Sequence, residues 1–108
     1  MKPEAIVNKM MEGDAFSQWL GIEVLSIREG ACDLQITVRK DMVNGFSIAH
    51  GGITYSVSDS ALAFAANSYG YKCVSIETSI SHTRTVQIDD VLTVKCTELN
   101  RGKRYGVY

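Results

Sequence analysis

An α+β domain built on one antiparallel sheet is the fold class that this sequence predicts, and three observations predict it. Apolar residues recur at helical spacing before residue 21 and at period two from 22 to 38 and again after 73, while one long proline-free stretch between them is apolar at all angles. Its 108 residues, 45% hydrophobic and 21% charged, make up one compact domain over residues 1–108 and leave no room for two. A domain of this size hides only about 65% of its unfolded surface, so cover from partner subunits is expected from size alone.

Pro3 sits where a first helical turn tolerates it, and Ile6, Val7, Met10 and Met11 then follow at helical spacing until Glu12-Gly13-Asp14 breaks the pattern. Asp14 is placed to cap a second turn carrying Phe16, Trp19 and Leu20, which Gly21 ends. Period two begins there. Ile22, Val24 and Ser26 alternate with Glu23, Leu25 and Ile27, Glu29-Gly30 turns, and Cys32, Leu34, Ile36 and Val38 alternate with Asp33, Gln35, Thr37 and Arg39, a hairpin with one buried face. After a loop over 40–49, residues 51–69 read as a core helix that Gly70 ends. Thr54, four serines, Asp59 and Asn67 interrupt its apolar runs well short of the 18 or so residues that a membrane span requires. Strands are expected over Val74–His82 and Val91–Cys96, then a turn at Asn100-Arg101-Gly102 and a fifth strand begun by Lys103–Tyr108.

Eleven Lys+Arg against twelve Asp+Glu leave a net charge of -1, so no positive field gathers nucleic acid or an anionic membrane. Cys32, Cys73 and Cys96 are odd in number and widely spaced, and His50 and His82 are the only histidines, which supports neither a disulfide framework nor a zinc site. No metal or organic cofactor is expected. The charged N-terminus lacks an apolar signal core, and a reduced, cytoplasmic setting is the reading.

Between Asp41 and Lys72 lie thirty residues whose single formal charge is Asp59, set in the middle of the core helix. A carboxylate there either pairs with a hydroxyl or amide to fix packing, or serves a site. His50-Gly51-Gly52 stands where the loop meets that helix, and the unpaired amides of a first turn can bind a developing oxyanion; the plain alternative is a capping histidine and a flexible Gly-Gly. Asn44-Gly45 is by itself an ordinary turn signal, Ser75 a strand serine, and Arg101, Lys103 and Arg104 a solvated turn.

Taken in order, Arg39-Lys40-Asp41-Met42-Val43-Asn44-Gly45-Phe46-Ser47-Ile48-Ala49-His50-Gly51-Gly52, continued to Ser58-Asp59-Ser60-Ala61, closely resembles the hotdog-fold acyl-CoA thioesterases of the phenylacetate-pathway (PaaI-like) branch, as does Trp19-Leu20-Gly21-Ile22. The resemblance implies a hotdog fold, an antiparallel sheet wrapped around a long central helix, with two subunits joining their sheets. It implies hydrolysis of a small acyl- or aryl-CoA by a homodimer or homotetramer. By the same resemblance the Gly51 amide and Asn44 polarise the thioester carbonyl, Asp59 is general base or nucleophile, His50 shapes the loop, and Ser75 helps hold the water. Gly51 and Asp59 are eight residues apart, about 12 Å along a helix axis, so the carboxylate is expected from Asp59 of the partner subunit. Family members continue past the Arg-Gly-Lys-Arg turn through further strands, so the C-terminal strands read as truncated at Tyr108. A hydroxyacyl dehydratase is a rival enzyme within the same fold, but resemblance to it would show as a proline-rich loop after a catalytic histidine, and the single proline of this chain is Pro3. A non-catalytic acyl-CoA-binding or structural hotdog module is the alternative from another class.

Overall fold

The computed structural model describes residues 1–108. Helix α1 spans Pro3–Glu12 with proline at its start, Glu4 in the first turn and Lys9 in the last, each charge matching the helix dipole at its end. Val7 is its one buried side chain. Helix α2 spans Ala15–Leu20. Asp14 caps it as expected, its carboxylate accepting from the Ser17 amide at 2.9 Å, and Gly21 ends it at φ 72°, a conformation that glycine adopts without strain. Of the apolar trio on this turn Leu20 is buried while Phe16 and Trp19 stay exposed. The unexpected inward residue is Ser17, whose hydroxyl bonds both Asp14 and the Ser60 hydroxyl, the latter at 2.8 Å.

Strands β1 (Glu23–Arg28), β2 (Ala31–Thr37) and β3 (Val91–Thr97) form an antiparallel sheet in the order β1-β2-β3. The first hairpin departs from simple alternation. Val24 pairs with Leu34 but Ser26 with Asp33, so Leu25 is an extra residue that bulges out of the ladder, half exposed, and Ile27 turns inward where Ser26 was expected. β2 lies at the centre with Cys32, Leu34 and Ile36 buried, and Cys96 stands directly across from Cys32. Helix α3, Gly51–Asn67, packs over β2 and β3 through Ile53, Val57, Ala61, Phe64 and Ala65. It ends two residues earlier than the pattern implied. No helix is long and apolar enough to cross a membrane.

The strand expected over Val74–His82 does not form. That segment makes no backbone–backbone hydrogen bond, and Val74 and Ile76 are 81% and 83% exposed. It runs instead along α3, tied by Asn67 to Cys73, Tyr55 to Thr78 and Thr54 to His82. Period two gives a chain the shape of a strand, but a ladder needs a neighbour, and β3 pairs only with β2. The last turn closes as a two-residue pair, β4 (Asn100–Arg101) with β5 (Gly106–Val107), in place of a full fifth strand. Every buried residue lies at or before Ser68, so the C-terminal part of the chain shields the core without belonging to it.

Two outcomes are expected of this packing. Gly30 has φ 78°, and a Cβ there would stand 2.8 Å from the Tyr69 hydroxyl. Gly30→Ala should cost about 1–2 kcal/mol from backbone strain alone and lower Tm by roughly 4–8 °C per kcal/mol, measured by thermal melting. Burial, reinforced by Cys96 and Asp33, pushes the Cys32 thiol from 9.0 up to about 12. Above pH 9 the unfolded thiol therefore sheds its proton while the folded one keeps it, and stability falls as pH rises from 9 toward 12. Denaturant midpoints across that window should decline less steeply in Cys32→Ala.

Candidate active site

The loop before α3 is built by its own short bonds. A single 3-10 turn at Lys40–Met42 buries Met42, and the chain then doubles back through an isolated bridge between Val43 and Ala49. Asn44 organises the tip: its amide donates to the Ile48 carbonyl at 2.8 Å, its carbonyl accepts from Ser47, and its Oδ1 accepts from the Phe46 amide at 2.9 Å. With Oδ1 engaged, the two protons of Nδ2 are left to donate outward.

His50 is the N-cap of α3. Its backbone amide donates to the Met42 carbonyl, its carbonyl accepts from Ile53, and its Nδ1 accepts from the Gly52 amide at 2.8 Å. An Nδ1 that accepts must be unprotonated, so the neutral ring carries its proton on Nε2. A Cβ at Gly52 would come 3.0 Å from that Nδ1, so glycine is what lets the ring close so tightly on the helix. Of the amides at this end, Gly52 and Ile53 are thus satisfied, while the Gly51 amide donates to no group of the chain. Gly51 is exposed, and its N–H sits at the positive end of the helix dipole.

That amide borders an open cleft of about 370 Å³, lined among others by Asn44, Gly51, Thr54, His82, Arg84 and Val86. The unpaired segment forms the far wall, held there by the Ala49 amide on the Val86 carbonyl at 2.8 Å. Arg84 is the one formal charge in the lining. A second hollow of about 330 Å³ lies in the β4–β5 turn among Lys103, Arg104 and Tyr105, with no carboxylate, histidine or helix start to support chemistry.

The expected residues are brought together only in part. Asn44 and Gly51 line the cleft, and His50 stands behind it as a cap. Asp59, expected inside a buried helix, is instead exposed and makes no hydrogen bond, because it faces away from the sheet that α3 packs on. It does not line the cleft, and neither does Ser75, exposed on the unpaired segment. His82 and Thr54 were missed as cleft residues. The one available signal was that His82 is half of the histidine complement; its place in an alternating run hid it.

The sequence profile of the thioesterase superfamily matches residues 46–108, which takes in the cap, the Gly51 amide and the far wall of the cleft. The chain belongs to that superfamily. Its similarity extends to the acyl-coenzyme A thioesterase PaaI of Escherichia coli, 37% identical over 99 residues that cover 92% of this chain and 71% of that protein. The solved structure of the E. coli PaaI protein from the phenylacetic acid degradation operon superposes with a TM-score of 0.94 at 34% identity, covering 96% of this chain and 75% of that one. A hypothetical thioesterase from Streptococcus pneumoniae, solved with coenzyme A, gives a TM-score of 0.81 at 27% identity and covers 88% and 74%. The hotdog fold and the PaaI-like resemblance expected from the sequence are therefore borne out, and so is the class of enzyme, a thioester hydrolase.

The capping role of His50 has a measurable size. His50→Ala should cost about 1 kcal/mol, the usual worth of an N-cap, whereas His50→Asn, which keeps an acceptor for the Gly52 amide, should restore most of it. Chemical denaturation of the three proteins checks this.

Proposed function

We propose that the cleft hydrolyses the thioester of a small acyl- or aryl-CoA. The observation that carries this reading is the Gly51 amide, a donor left without acceptor between two satisfied neighbours, in a residue that lines the same cleft as Asn44. Each such donor, held rigidly where negative charge develops, is worth roughly 3 kcal/mol of barrier. Water attacks the carbonyl carbon, the C–S bond breaks, and the proton lost by water passes through a carboxylate to the departing thiolate; a carboxylate attacking directly would form an anhydride that water then opens. Arg84 offers a cation to the phosphates of CoA. The coenzyme A in the S. pneumoniae neighbour supports this ligand class.

The carboxylate is Asp59 of the partner subunit. Within one chain the Cα atoms of Gly51 and Asp59 are about 12 Å apart along α3, farther than an aspartate reaches. The exposed Asp59, free of any partner here, suits a homodimer in which two α3 helices run antiparallel, and a homotetramer is a pair of such dimers. Ser75 would help hold the water, His50 keeps the loop in shape, and the whole chain acts as one cytoplasmic domain. An acyl-CoA-binding module without turnover is the second reading, favoured by the distance of Asp59 from the cleft of its own chain.

Thiol release from aryl, short and long acyl-CoA esters tests both. Turnover with one class and a loss of about 10²–10⁴ in kcat for Asp59→Asn support the enzyme; binding without turnover supports the module. Mixing Asn44→Ala with Asp59→Ala under subunit exchange should restore roughly a quarter of the activity, since half of the dimers are hybrids with one intact site. Verified exchange with no recovery would place both residues in one chain.

A further inference from the structure

His82 arrives at the cleft from the unpaired segment, and its ring stands over the first residue of α3. A Cβ built on Gly51 would lie 3.5 Å from His82 Nε2 and 3.6 Å from Cε1, so that edge of the ring faces the Gly51 side of the cleft. The other nitrogen, Nδ1, is 3.2 Å from the Thr54 hydroxyl, which is also 3.0 Å from the Gly51 carbonyl. The Thr54 hydroxyl thus stands within hydrogen-bond distance of both the His82 ring and the Gly51 carbonyl, at the edge of the cleft.

We propose that His82 is a further hydrogen-bond donor to the thioester carbonyl, added to Gly51 and Asn44, through Nε2–H, and that the Thr54 hydroxyl accommodates the tautomer that makes it one. The proposal rests on the reading of the cleft as a thioester site. A carbonyl oxygen bound by the Gly51 amide enters the cleft that His82 also lines, with the Nε2 edge turned toward Gly51, and a nitrogen facing it helps only if it bears a proton. The hydroxyl of Thr54 has one proton and two acceptors in reach. Turned to the Gly51 carbonyl, it obliges Nδ1–H to donate to Thr54 and leaves a lone pair on Nε2. Turned to Nδ1, it fixes the ring proton on Nε2. The second arrangement costs little, because the Gly51 carbonyl already belongs to the α3 ladder and does not need the hydroxyl. The ring is exposed, so its proton exchanges with water and the ring settles in whichever form the occupant favours. An empty cleft tolerates either form, whereas a carbonyl oxygen beside Nε2 selects the donor.

This also accounts for glycine at 51. A side chain there would meet His82 only at ordinary van der Waals distance, so the chain itself does not forbid one. What it would fill is the space between the Gly51 amide and the Nε2 edge, which is where the carbonyl oxygen belongs.

The test compares His82→Phe, His82→Gln and Thr54→Val with the unmutated protein, using thiol release and two inert acyl-CoA analogues. One is a ketone in which CH₂ replaces the thioester sulfur, and the other a thioether in which CH₂ replaces the carbonyl. His82→Phe should lower kcat about 100-fold, as loss of an oxyanion donor does, with KM within about twofold, the pattern of a contact made in the transition state. His82→Gln, which keeps an N–H donor, should recover most of it. Thr54→Val should lower kcat in the unmutated background and have little further effect in His82→Phe. The ketone should lose about tenfold in affinity in His82→Phe while the thioether does not, one N–H···O contact being at stake. Nitrogen NMR of the ketone complex should show His82 protonated on Nε2 and bare on Nδ1.

A His82→Phe variant with unaltered kcat, equal losses for ketone and thioether, or an unprotonated Nε2 in the ketone complex would overturn the proposal. If the unmutated protein cleaves no CoA ester yet the ketone binds in a His82-dependent way, hydrolysis falls and the His82 contact stands. If the ketone does not bind either, both fall.

Discussion

The close approach of α3 to β2 at Ala61 is the constraint on which the rest depends. The Cys32 thiol donates to the Ala61 carbonyl at 3.3 Å, a contact possible only because both positions carry small side chains. Ala61 and Ala65 are fully buried, with Val57 and Phe64 filling the turns to either side. From its other flank the helix is pinned by the Ser17–Ser60 hydroxyl pair, itself anchored by the Asp14 cap. A helix held at its middle on both sides cannot slide or roll, so its first turn is delivered to one place, against the far wall at His82 and Val86. A larger residue at 61 would lift the helix off β2 and move the Gly51 amide with it.

How much of this was legible depends on how far apart the partners lie in the chain. The helices and most of their ends could be read because Asp14 and His50 accept from amides three and two residues on, and Gly21 donates its own amide to a carbonyl three residues back. The pairing of β1 with β2 was equally local, one turn joining them. The segment at 74–82 was misread because alternation reports which faces a chain presents and says nothing about whether a neighbour exists. The buried serines escaped for a related reason. Ser17 and Ser68 look like surface residues until their partners, Ser60 and the Gly30 amide, are seen across the fold.

Within the site the same division holds. Gly51, Asn44 and His50 lie within eight residues and are arranged by bonds to near neighbours between Met42 and Ile53, so a motif carries their geometry. Asp59 stood out as a charge in a charge-free stretch, yet composition could not say on which side of α3 it would emerge, and it emerges away from the core. His82 and Thr54 meet across twenty-eight residues, through the path of a segment that local pattern described wrongly.

The bulge at Leu25 changes the parity of β1. Before it the inward positions are even, Ile22 and Val24, and after it the inward position is odd, Ile27. The strand therefore tolerates a missing residue in an unequal way. Removing Leu25 would leave Val24 and Ile27 on their present faces and merely straighten the ladder, whereas removing a residue from β2, which has no slack, would turn one half of the central strand inside out. Length variation in this hairpin is thus confined to one position, and β2 must be inherited at constant length.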